Sequence, residues 1–322
     1  YLEDDMDVQE PDAAAGDPEW GATLYSAYCA FCHGTDGEGY TADAASQLAN
    51  QSFLSTATDP FLETSIVHGR PGTSMSAWGQ AEGGPLDDGE VADMMAFIRA
   101  WQTEPDIEVG GDADGSALRG EAVYGVLCAD CHGIEGEGRP YVSLNNPWFL
   151  HSASDGFLRH AIEQGRPGTP MVGYLDTLTR QNIEDLVSLI RSWQRPVDGS
   201  GEPEFVPTLE GITINPDGVS PLFELNQERY VSVDQVNDAI LGGQKLILLD
   251  ARPHGDYLIS HITGAASLPF YLVEDFADQL PEDTWIITYC GCPHAISGQA
   301  WEKLASLGFR KIAVLDEGFY VW

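Results

Sequence analysis

Two short stretches of this chain carry the side chains best suited to chemistry. Cys29-Ala-Phe-Cys32-His33 and Cys128-Ala-Asp-Cys131-His132 have the same form, two thiols three positions apart with a histidine directly after the second. That spacing attaches a c-type haem: the two thiols meet the two vinyl groups of one porphyrin, and the histidine falls under the iron. A lone Cys-x-x-Cys would serve equally as half of a zinc site or as a redox dithiol. Here the motif occurs twice with its own histidine each time, which points to two covalently bound haem c groups, with His33 and His132 as the proximal iron ligands.

The surroundings of the motif are duplicated as well. Gly21-Ala-Thr-Leu-Tyr25 corresponds to Gly120-Glu-Ala-Val-Tyr124, and His33 to Gly39 corresponds to His132 to Gly138. The shared glycines permit tight turns at the porphyrin edge, where a side chain would clash. Gly69-Arg-Pro-Gly-Thr-Ser-Met75 is answered by Gly165-Arg-Pro-Gly-Thr-Pro-Met171. Each copy closes on an amphipathic stretch, 88–102 and 179–194, with Val91, Met94, Met95 and Ile98 or Ile183, Leu186, Val187 and Ile190 at helical spacing.

Comparison of the copies addresses the far side of each iron. Histidine and methionine are the candidates. A shift of 96 positions places Gln164 opposite His68 and Met171 opposite Met75. If both units hold haem in the same way, Met75 and Met171 are the sixth ligands. Methionine more commonly packs a core, but these two lie in Gly/Pro loops. Arg70 and Arg166, five residues before each methionine, have the chemistry to pair with haem propionates; the alternative is a solvated loop arginine.

On these motifs, residues 18–104 and 117–196 resemble two class I c-type cytochrome domains in tandem. The resemblance implies small all-α folds in which the Cys-x-x-Cys-His helix crosses the last helix, with Gly21 and Gly120 at the crossing and a methionine loop between. The short joint at 105–116 is expected to hold the two units close together.

A different pattern follows. Residues 1–17 read as a flexible acidic tail and 197–228 as a linker, rich in Gly, Pro and Ser up to 221. From Tyr230, helices alternate with short apolar strands: helix 233–241, strand 245–250, strand 285–290, helix 297–307 and strand 312–315. This is an α/β domain with a parallel sheet. Residues 229–322 resemble a rhodanese, through Asp250-Ala-Arg252, Asp256-Tyr257, Ser260 to Ala265, Pro269, Thr288-Tyr289-Cys290 and the closing Gly318 to Trp322. The fold class is therefore multidomain, two all-α units followed by an α/β domain.

The resemblance places Cys290 where that family carries its catalytic cysteine. The loop departs from the family pattern, however. Pro293 and Ala295 stand where a glycine and an anion-gripping arginine are usual. Three readings stay open: Cys290 as a persulfide carrier helped by Cys292 and His294, an inert binding or scaffolding module, or a metal site made of the two thiols and the imidazole. The missing arginine implies little ordinary thiosulfate turnover.

The formal charge is −36 over 322 residues, and the only lysines are Lys245, Lys303 and Lys311. Such acidity excludes nucleic acid as a partner. It suits either docking on the basic surface of a redox partner protein or a surface adapted to salt. The resemblance to c-type cytochromes, with haem attached through Cys-x-x-Cys-His, implies assembly outside the cytoplasm, in the periplasm or an equivalent compartment. The sequence holds no apolar run of membrane-spanning length, so an anchor would precede it. The expected function is electron transfer with the third domain as an accessory. The alternatives are a sulfur-oxidising enzyme in which Cys290 carries sulfur and the haems accept electrons, and a cytochrome subunit of a larger respiratory membrane assembly.

Overall fold

In the computed structural model, residues 16–39, 45–138, 141–197, 206–291 and 294–322 are described. Cys292, Pro293 and most of the acidic tail lie outside them. The first unit runs α1 (Pro18–Tyr28), α2 (Ala30–His33), α3 (Gln51–Leu54), α4 (Asp59–Val67) and α5 (Asp88–Arg99). The second repeats it as α6 (Ala117–Leu127), α7 (Ala129–His132), α8 (Pro147–Ser152), α9 (Asp155–Gln164) and α10 (Arg180–Ser192).

The helices begin where side chains satisfy their first amides. Asp87 and Glu90 form a capping box on α5, and Thr179 and Asn182 do so on α10. In each unit the first helix crosses the last at a glycine. A Cβ on Gly21 would strike the carbonyl of Asp93, and one on Gly120 the carbonyl of Asp185. The closing helices are shorter than their amphipathic stretches and stop before Trp101 and at Trp193. Both indoles instead pack over a glycine turn, at Gly37 and Gly136, where a Cβ would come within 2.6 Å of the ring. Both turns also require positive φ, +67° and +76°.

The two units meet through a pseudo-two-fold interface in which residues 96 positions apart exchange roles. Phe61 and Phe157 pack on each other at 4.9 Å. Phe149 lies against Phe61 at 6.0 Å, and its counterpart Phe53 against Phe157 at 6.2 Å. Asn50 Nδ2 donates to Pro167 O at 2.9 Å, and Asn146 Nδ2 to Pro71 O at 3.0 Å. Some pairs depart from the symmetry, among them His68 stacked on Trp148 at 3.5 Å and Ser52 Oγ 3.3 Å from His160 Nε2.

The third unit is a parallel sheet ordered β1 (Tyr230–Val231), β5 (Ile312–Leu315), β4 (Trp285–Tyr289), β2 (Leu246–Asp250) and β3 (Ala266–Ser267). Its helices are α11 (Val233–Leu241), α12 (His254–Ile259), α13 (Val273–Phe276) and α14 (Ala295–Ser306). The stretch read as a linker is one only in part. Ile214 pairs with Leu246, the Lys245 amide donates to Val219 O, and Phe223 packs on Trp285 at 5.2 Å. Apolar side chains therefore lay residues 212–225 onto the third unit. This unit also seats on the first. Tyr271 Oη donates to Gly83 O at 2.7 Å, and Phe270 packs on Tyr28 and Trp78 at 6.0 and 6.3 Å.

The crossing yields a direct test. Gly21→Ala or Gly120→Ala forces two backbones apart and is expected to cost about 3 kcal/mol, the upper end of overpacking. This would be read as a lowered urea midpoint for the affected unit, with the other unit's transition unchanged.

Candidate haem sites and the Cys290 loop

Both Cys-x-x-Cys-His motifs fold alike. The first cysteine ends α1 or α6, and the second lies with its histidine on the single turn of α2 or α7. Tyr25 Oη donates to Gly34 O and Tyr124 Oη to Gly133 O, each at 2.8 Å, fixing the turn that follows the histidine. Nδ1 of His33 lies 2.8 Å from Ser46 O, and Nδ1 of His132 lies 2.9 Å from Val142 O. With Nδ1 donating to a carbonyl, the opposite ring nitrogen is the one left to bind a metal. Burial lowers the pKa of both imidazoles, keeping them neutral as ligation requires. Burial also pushes the Cys29 thiol up to about 12 and Cys128 up to about 11. Neither is a thiolate ready for dithiol chemistry at neutral pH.

The methionine loops are the same in hydrogen-bond detail. Arg70 N donates to Met75 O at 2.7 Å, Thr73 Oγ1 to Arg70 O at 2.7 Å, and Met75 N to Thr73 Oγ1 at 3.2 Å. Arg166, Thr169 and Met171 repeat all three, at 2.8, 2.7 and 3.1 Å.

Arg70 and Arg166 are not solvated loop residues. The guanidinium of Arg70 lies over Phe61 and, across the interface, Phe149, both at 5.5 Å. Arg166 lies over Phe157 at 5.1 Å and, across the interface, Phe53 at 5.9 Å. Burial lowers both pKa values to about 10. Arg70 donates to Ser65 Oγ, and Arg166 to Ser52 O and Oγ. Among the described residues neither forms an ion pair with a carboxylate. Two partly buried cations without counter-charge suit a group that brings its own carboxylates. With the paired thiols and the oriented imidazoles, this donor set fits haem c.

In the third unit, Cys290 follows β4 and is fully buried, with Sγ 3.3 Å from Ser297 Oγ. Ser297, on the first turn of α14, was not singled out from the sequence. His294 caps α14 at φ +71°, and its Nε2 lies 2.8 Å from both the carbonyl and Oδ1 of Asp316, with the ring stacked on Tyr230. The imidazole is thus committed to Asp316. Arg252 is held bidentately by Asp250, at 2.9 and 2.6 Å, and does not replace the missing loop arginine. The loop abuts the first unit: a Cβ on Gly291 would lie 3.8 Å from Ser74 Cα.

Residues 16–98 and 115–190 both match the family model described as Cytochrome C oxidase, cbb3-type, subunit III, and residues 232–322 match the Rhodanese-like domain. The chain is two c-type cytochrome domains in tandem with a rhodanese-like domain behind them. It is 28% identical to the cbb3-type cytochrome c oxidase subunit FixP of Bradyrhizobium diazoefficiens over 156 residues, 46% of this chain and 51% of that protein. It is 28% identical to the thiosulfate sulfurtransferase GlpE of Tolumonas auensis over 98 residues, 30% of this chain and 91% of that one. It is 30% identical to an HTH-type transcriptional regulator of Mycobacterium tuberculosis over 78 residues, 24% and 34% of the two chains. The chain thus spans about half the length of FixP. Cytochrome c domains carry covalently bound haem c, which supplies a ferric–ferrous couple.

Where the first cytochrome domain meets the rhodanese-like domain, burial pushes Asp256 up to about 6, while Ser76 and Arg252 draw it back. Among the described residues its Oδ2 has no hydrogen-bond partner. Because the folded pKa lies above the unfolded value of about 3.9, its contribution is complete below about pH 4 and lost as pH rises through about 6. Asp256→Asn should therefore gain on the wild type by up to about 3 kcal/mol between pH 4 and 7. Paired urea titrations at the two pH values measure the difference.

Proposed function

We propose that the chain is an extracytoplasmic dihaem electron carrier. One haem c is bound by Cys29 and Cys32 with His33 and Met75 on the iron, the other by Cys128 and Cys131 with His132 and Met171. The observation that carries this reading is the reciprocal interface. Each arginine next to a methionine loop stands over an aromatic ring of the other domain, which suits two prosthetic groups facing each other through their propionate edges. His and Met together leave no open position for substrate, and Met ligation favours high potentials.

The partner is a redox protein with a basic surface. The open edge of the second cytochrome domain exposes Val126, Ile134, Val172 and Leu175, flanked by exposed Asp130, Glu135 and Asp176. An apolar centre with an acidic border suits short-lived docking guided by charge. The relation to FixP supports a membrane respiratory assembly as the setting. No helix among the described residues is long and apolar enough to cross a membrane. The rhodanese-like domain is an accessory, its cysteine buried and its loop without the anion-binding arginine.

The ferric holoprotein should show the weak near-infrared sulfur-to-iron band. Met75→Ala and Met171→Ala should each remove about half of it, and the double variant all of it. Bis-histidine spectra would overturn the ligand assignment. Electron exchange with a basic cytochrome should slow as ionic strength rises from ~0.01 to ~1 M, over which the Debye length falls from about 30 to 3 Å. A rate indifferent to salt in stopped-flow measurements would leave the acidity as salt adaptation alone.

A further inference from the structure

The two methionine loops share their internal hydrogen bonds but not their surroundings. After Met75, Ser76, Ala77 and Trp78 are 3%, 8% and 5% exposed. At the matching positions after Met171, Val172 is 59% exposed, Gly173 is exposed and Tyr174 is half-buried. What covers the first loop is the rhodanese-like domain, and the contact is built closely from both sides.

Gly291, next to Cys290, faces Ser74. The Asp256 carboxyl lies against the Ser76 hydroxyl. Phe270 sits edge-on to Trp78, and Tyr271 Oη donates to Gly83 O at 2.7 Å. Gly255 approaches so closely that a Cβ there would stand 2.7 Å from Glu82 O, nearer than real Cβ atoms come. Ser74 and Ser76 are the immediate neighbours of Met75, so this surface is set on the arm that carries the methionine.

We propose that the rhodanese-like domain is a clamp on the Met75 loop, with Tyr271 and Gly255 as positioning residues for the sixth ligand of the first haem. The domain holds Met75 in place by seating its neighbours, while the Met171 loop has the seam contact at Pro167, which the Met75 loop has as well at Pro71, and, among the described residues, no such seat beyond it. The two haem sites are therefore unequal, one with a fixed methionine and one with a methionine that yields to competing ligands. This gives the domain a role that needs no reactive thiol, in keeping with a buried Cys290 and a loop lacking its arginine. The inference rests on Met75 and Met171 being iron ligands.

The test is displacement of methionine by imidazole in the ferric, full-length holoprotein, followed through the near-infrared band. The wild type should titrate in two halves, with the resistant half needing about tenfold more imidazole, a difference of about 1.4 kcal/mol. Met171→Ala should leave only the resistant half, which assigns it to Met75. Gly255→Val should bring that half down towards the other. Tyr271→Phe, which keeps the ring and loses one hydrogen bond, should lower it about fivefold, for about 1 kcal/mol. The labile half is the internal control and should not move in either variant.

A wild type whose halves titrate together overturns the clamp, as does a resistant half that moves in neither variant. If Gly255→Val fails to fold, the Tyr271→Phe result decides alone. Failure of the ligand reading looks different: Met75→Ala would then leave the band at full strength before any imidazole is added.

Discussion

The rest of the molecule depends on the reciprocal contact of Arg70 with Phe61 and Phe149, and of Arg166 with Phe157 and Phe53. In an isologous contact each surface position serves twice, once in each direction. Here the two directions fall on one chain, so both copies must keep the same phenylalanines, asparagines and arginines for the seam to close. The seam also holds two guanidiniums whose burial is unfavourable without an anion nearby. A cofactor with two carboxylates per copy would relieve this cost, so domain packing and cofactor binding reinforce one another at the same residues.

Beyond the seam the copies are free to diverge, and they diverge where they face other things. His68, paired with Glu82 at 2.7 Å and stacked on Trp148, has glutamine as its counterpart. The sequence Ser76-Ala77-Trp78, buried beneath the rhodanese-like domain, has Val172-Gly173-Tyr174 as its counterpart. A hydroxyl that lies against a buried carboxyl on one side is thus an exposed apolar group on the other. This division separates a domain covered by its neighbours from one whose corresponding loop is exposed.

What was legible in the sequence was what is encoded locally. The Cys-x-x-Cys-His turns, the glycine crossings and the apolar faces of α5 and α10 follow from spacing, and Val91, Met94, Ile98, Ile183, Leu186, Val187 and Ile190 are all buried. The parallel sheet likewise followed from short apolar runs between helices. The seam was not legible, because Asn50, Phe53, Phe149 and Phe157 have no periodicity of their own and gain meaning only when the domains meet. Two buried acids on α10, Glu184 and Asp185, were also hidden. They sit among apolar residues and are stabilised by Arg159 and Arg119 from distant positions, at 2.7 and 2.6 Å. His294 looked like a partner for Cys290 because it is close in sequence, yet a single left-handed residue turns its ring to Asp316. The closing tryptophans continued the helical pattern in sequence, but packing against Gly37 and Gly136 draws them off it.

The placement of the cations explains how so acidic a chain can carry a directed field. In the cytochrome domains, Arg99, Arg119, Arg159 and Arg191 are bound to Asp59, Asp185, Glu184 and Asp155, and Arg70 and Arg166 are turned into the seam. The lysines are confined to the rhodanese-like domain, where Lys303 pairs with Glu274 and Lys311 donates to Asp283 O. Much of the positive charge is thus engaged in structural contacts or lies away from the open face of the second cytochrome domain. Acids such as Asp130, Glu135 and Asp176 are left around its apolar edge. A surface shaped only by salt tolerance would require acids outside but no apolar centre among them. The combination of the two beside the Met171 loop is what fits that edge to the docking role proposed for it.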